Sequence, residues 1–174
     1  MNTKELETEI NKTLSELSSS LRLFEQDKLN IVPFEGSWTG GQLIQHLILS
    51  NGGFAEVMNG PTKETNRQFD QFVEGIKGSF LNFNIKMKSP EFIVPEFREY
   101  QKENLLQTLE SIKTNINRII GEKDLKETCT SFEVPGIGYL TRWESLHFIL
   151  YHTQRHIHQL KNIFAKLNEP ASIK

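Results

Sequence analysis

The sequence holds a single cysteine, Cys129. That count excludes a disulfide framework and an all-thiolate zinc site. No run of about 18 apolar residues occurs, so no segment reads as a membrane-spanning helix. An excess of either charge is also missing: 20 Lys and Arg face 22 Asp and Glu, for a net charge of −2. Without a positive field to gather nucleic acid or an anionic membrane, neither is expected as a partner. The opening MNTKELETEI is charged and has no apolar core of a signal peptide, so a cytoplasmic protein is expected. There is no Gly-x-Gly-x-x-Gly, Walker loop or Gly-x-Ser-x-Gly elbow, which removes the common dinucleotide, nucleotide and serine-hydrolase sites.

What is present is helical period. The 174 residues are 37% hydrophobic and 24% charged, the size and balance of one globular domain over 1–174. Leu6, Ile10, Leu14, Leu17, Leu21 and Phe24 recur at steps of three and four, predicting a first helix over residues 3–26. Thr39-Gly-Gly-Gln42 fits a capping box and opens a second helix, over about 40–58, that Gly60 and Pro61 stop. Residues 59–98 are the least regular. A weak helical pattern runs over 66–78, and Pro90 and Pro95 break the rest. A link this long is either a functional lid or packing over the bundle end. A third helix follows Pro95, with a stripe from Leu105 to Ile119, and Gly121 ends it. Residues 132–138 read as a turn. Thr141-Arg-Trp-Glu144 is a second capping box, opening a fourth helix to about Leu167. The expected fold is all-α: a four-helix bundle with a long crossover between the second and third helices. Cys129 falls in an irregular stretch and is expected as a surface thiol.

The five histidines divide by angle. With His152 at zero and about 100° per residue, His156 lies at about 40° and the apolar Ile149, Leu160 and Ile163 within about 80°. His147 and His158 fall at about 220–240°, beside Gln154 and Lys161, on the expected water face. His152 and His156 therefore sit one turn apart at the edge of the core stripe, a separation that suits one divalent ion. His46 lies mid-helix among Leu43, Leu47, Ser50 and Phe54, so it too faces inward. Each of the three is open to two readings, a hydrogen-bonded core histidine or a metal ligand. Three imidazoles suit Zn²⁺ or Ni²⁺ first, with Fe²⁺ and Mn²⁺ as alternatives, and not Ca²⁺ or Mg²⁺. Three protein ligands also leave coordination positions open, the pattern of a catalytic site. Gln159, one turn past His156, is placed either to orient a ligand or bound water or to line the rim. Ligation needs neutral imidazoles, so metal occupancy is expected to fall below about pH 6.

The two histidine stretches, Trp38-Thr-Gly-Gly-Gln-Leu-Ile-Gln-His46-Leu and Tyr151-His152-Thr-Gln-Arg-His156-Ile-His-Gln159-Leu, together with the helix count and the crossover, resemble the DinB/YfiT-like superfamily. The resemblance implies a four-helix bundle with a metal held by His46, His152 and His156. It also implies a homodimer acting on a small-molecule substrate. Some members are S-transferases or isomerases that use a low-molecular-weight thiol such as bacillithiol or mycothiol, and others are metal-dependent hydrolases. The expected function is thus a thiol-dependent S-transferase or related hydrolase. The alternative is a non-enzymatic, metal-stabilised bundle serving as an interaction or sensor module.

Overall fold

Side-chain caps set where the long helices begin. A computed structural model of the chain describes residues 1–169. Residues 170–174, the end of the domain expected over 1–174, lie outside the described residues. The helices are α1 (Thr3–Arg22), α2 (Gly40–Asn59), α3 (Val73–Phe80), α4 (Lys102–Glu122) and α5 (Arg142–Leu167). Thr39 accepts the Gln42 amide at 3.0 Å, and the Gln42 side chain accepts the Thr39 amide at 3.1 Å. Thr141 and Glu144 repeat that box at the start of α5, with bonds of 2.9 and 3.1 Å. Both predicted helix starts are therefore met. α1 stops at Arg22, short of the expected residue 26, because the chain turns there. Phe24 and Leu29 stay in the core even so.

Four long helices form the bundle. α1 packs on α4 and α5, and α2 packs on the same two, so α1 and α2 lie across the diagonal. The crossover between α2 and α4 contains α3 and one 3₁₀ turn, Glu91–Ile93. α3 lies against α5. The helical pattern read over 66–78 thus matures into a shorter helix displaced toward Phe80. Two short antiparallel strands that periodicity did not reveal, β1 (Thr62–Lys63) and β2 (Thr128–Cys129), tie the start of the crossover to the α4–α5 connection. Cys129 is consequently buried, at 1% exposure, and the surface-thiol expectation is corrected: strand pairing draws it under the sheet. Burial pushes its thiol pKa up to about 11, so it is an unreactive packing residue.

The core is two apolar clusters. One gathers Leu6, Ile10, Phe54, Met58, Leu146 and Ile149, and the other Leu17, Leu21, Leu43, Leu47, Ile157 and Leu160. Between them, on α2 and α5, runs a buried polar layer: His46, Ser50, Asn51, His152, Thr153 and His156. Buried polar groups of this number need partners, and that layer is where the chemistry sits.

Candidate metal centre

α2 and α5 run antiparallel. Asn51 Nδ2 donates to Thr153 Oγ1 at 3.1 Å, and Arg142 Nε donates to the Met58 carbonyl at 2.7 Å. That register brings His46 opposite the turn of α5 that carries His152 and His156. The Nε2 atoms of His46 and His152 lie 3.2 Å apart, and those of His156 and His152 lie 2.9 Å apart. All three ligand atoms fall within 4.8 Å of one another, and all three residues are buried. The three inward histidines read from helical angle are thus brought together.

Their outer nitrogens are occupied. His46 Nδ1 donates to the Ile93 carbonyl at 2.9 Å. His156 Nδ1 donates to Gln159 Oε1 at 2.6 Å. Both acceptors can only accept, so each of these imidazoles carries its proton outward and its lone pair inward, on Nε2. His152 Nδ1 faces the Ser50 hydroxyl at 3.3 Å, a group that takes either role. Two inward lone pairs aimed at one further nitrogen need a hydrogen or a cation between them. A proton on His152 Nε2 would serve as a donor to them, and a cation would take all three lone pairs. A tetrahedral ion with bonds of about 2.0–2.1 Å sets its ligand nitrogens about 3.3 Å apart, close to the separations found here. The donor set, its tautomers and its outer hydrogen bonds therefore fit a divalent transition metal.

Burial lowers all three pKa values. His46 is lowered by desolvation against the opposing effect of the Ile93 bond. His152, with no compensating partner, is held well below the ordinary range, chiefly by burial and then by the neighbouring imidazoles. Burial brings His156 down to about 3. Desolvation thus favours the neutral, ligating form of each imidazole, most strongly at His152 and His156.

A cleft of about 820 Å³ opens on the three imidazoles. Phe54, Phe80, Phe92, Phe132 and Phe148 wall it, and the crossover closes one side through Met87–Ile93. A smaller cleft of about 450 Å³ reaches His156 and Gln159 from the side of Trp38, with Met87, Lys88 and Ser89 between the two. Gln159 holds His156 and also lines both clefts. Glu56 is the only carboxylate among the described residues of the large cleft. It stands ten residues from His46, about 15 Å along the helix.

Two predicted water-face histidines divide. His158 is exposed and stacks on Phe83 at 4.3 Å between ring centroids. His147 is buried at 2% exposure, with Nδ1 donating to the Trp143 carbonyl at 2.9 Å, which corrects its expected place in solvent. Phe69 of the crossover packs on Trp143 and α3 lies against α5, so α5 is covered on a second face. Arg155 is a further residue of the site that helical angle does not single out. Its guanidinium, 6% exposed, donates from Nη1 to the carbonyls of Phe80 (3.1 Å) and Asn82 (3.0 Å) and from Nη2 to that of Ile85. No carboxylate pairs with it among the described residues, so its charge stands beside the imidazoles. Its position directly before His156 was the available signal.

Among the described residues no helix is long and apolar enough to cross a membrane. A solved four-helix bundle protein, TT2238, is similar in fold, with a TM-score of 0.58 over 92% of this chain and 99% of that one. At 17% identity the likeness concerns the fold alone. No curated protein matches the sequence. Residues 9–160 match the DinB superfamily, a span that takes in the bundle and all three converging imidazoles. With the bundle, the crossover and both histidine stretches inside that match, the chain belongs to the DinB superfamily.

Proposed function

We propose that residues 1–174 form one metal-dependent enzyme domain, a thiol-dependent S-transferase or a related hydrolase, with His46, His152 and His156 as the metal ligands. The observation that carries this reading is the outward pinning of the His46 and His156 protons, which leaves their Nε2 lone pairs aimed at His152 Nε2. A divalent ion there would supply Lewis acidity at an open coordination position, lowering the pKa of a thiol or water.

The chain's own groups do the rest. Ile93 and Gln159 fix the orientation of two imidazoles, and Ser50 stands against the third. The phenylalanine walls make one side of the cleft apolar, and a less polar surrounding strengthens electrostatic effects there. Arg155 adds a fixed positive charge that favours an anionic nucleophile at the same end. Among the described residues the only carboxylate lining the cleft, Glu56, stands about 15 Å along α2 from His46, so a thiol that ionises readily suits this site better than a reaction needing a strong protein base.

The test is turnover. Zinc- or nickel-loaded protein is incubated with small thiols and a reactive electrophile such as a haloarene, beside His152→Ala. Thioether formation by the wild type, lost in the variant, supports the transferase. Ester hydrolysis without thiol, lost in the same variant, supports the hydrolase. Equal rates in wild type and variant for both reactions would refute an enzymatic role.

A further inference from the structure

The large cleft exceeds what three imidazoles need. Its volume of about 820 Å³ falls in the range that takes a whole small molecule. Its polar lining groups from α5, His152, Arg155, His156 and Gln159, fall within about two helical turns, and the phenylalanine walls extend away from them. The cleft is therefore amphipathic, with one polar end and a mostly apolar flank that Glu56 and Ser131 also line.

Gly53 lies in that wall, in the interior of α2. Glycine inside a helix weakens it, so a mid-helix glycine calls for a reason. At Gly41 the reason is close packing, because a Cβ there would come within 2.9 Å of Tyr100 Cβ. At Gly53 nothing lies within 4 Å of an added Cβ. No neighbour forbids a side chain; the space a side chain would take is cleft.

We propose that the large cleft binds the apolar alkyl body of a small substrate whose reacting head lies at the imidazoles, and that Gly53 is the specificity-determining residue that leaves room for it. The placement of the head rests on the function proposed above; the apolar pocket does not.

Two binding series test this. In zinc-loaded protein, n-alkyl hydroxamic acids of two to eight carbons are titrated by calorimetry. Affinity should rise about fourfold for each methylene the cleft buries. Gly53→Leu should bind acetohydroxamate as wild type does and lose the gain with chain length. In metal-free protein, 1-alkanols of the same lengths compete with anilinonaphthalene sulfonate, and should show the same gain and the same loss. Absence of a chain-length gain in both series overturns the proposal, even where zinc binds. Zinc failing to bind while the alkanol series retains its gain sinks the three-imidazole reading and leaves the apolar pocket standing. A Gly53→Leu protein that keeps the full gain in either series removes Gly53 from its role.

Discussion

Glu144 accepts two hydrogen bonds from Arg67, each of 2.7 Å, while its own backbone opens α5. The same carboxylate accepts the amides of Thr141 and Phe72 at 2.9 Å. One fully buried side chain therefore caps the helix that carries two of the three imidazoles and anchors the start of the crossover. Removing it strands part of a buried pair and uncaps α5. Glu144→Ala should lower unfolding free energy by about 3–5 kcal/mol. Urea titration measures this, and a loss below about 1 kcal/mol would contradict the anchoring role.

The buried histidines make the metal-free protein sensitive to acid. His46, His147, His152 and His156 all have lowered pKa values, with burial the largest cause in each. A group kept neutral by folding is protonated first in the unfolded chain. Its stabilising share is complete above the unfolded value of about 6.5 and is lost as pH falls toward the folded value. For His156 that window runs down to about 3, at about 1.4 kcal/mol per pH unit. Between pH 7 and 5, above the range where most carboxylates titrate, the metal-free protein should lose at least about 2 kcal/mol. Stability that is flat over that interval would mean the imidazoles are not desolvated.

Gly53 gives a stability prediction separate from ligand binding. Alanine there meets no neighbour and removes a flexible point from the interior of α2. Gly53→Ala should stabilise the protein by about 0.5–1 kcal/mol, read as a higher melting temperature. Destabilisation would show that the wall of the cleft is tighter than its open space indicates.

Arg155 holds the crossover by three carbonyls, those of Phe80, Asn82 and Ile85. Arg155→Met keeps much of the apolar stem and removes the donors. Amide exchange across residues 80–93 should accelerate at least about tenfold, with exchange in α1 and α4 unchanged. Unchanged exchange in the crossover would mean that packing alone secures it.

The bundle and the three imidazoles were legible because both follow from helical angle. Thr39 and Thr141 sit at capping boxes that the sequence spells out, and His46, His152 and His156 share core faces with leucines and isoleucines. What failed was whatever depended on the crossover. His147 is buried because chain from outside the four-helix repeat covers it, and no periodicity within α5 encodes that cover. Cys129 is buried by a two-residue strand, too short to leave an alternating pattern. Arg155 is a charged side chain kept in the core by carbonyls far away in sequence, a pairing that composition cannot reveal.

Metal stoichiometry tests the central claim most directly. Protein stripped of metal is titrated with Zn²⁺ and with Ni²⁺ by calorimetry, with elemental analysis of the desalted product. One ion per chain in the wild type, and loss of at least about tenfold in affinity for each of His46→Ala, His152→Ala and His156→Ala, is the predicted result. No stoichiometric binding by the wild type, or binding that survives all three substitutions, would contradict it.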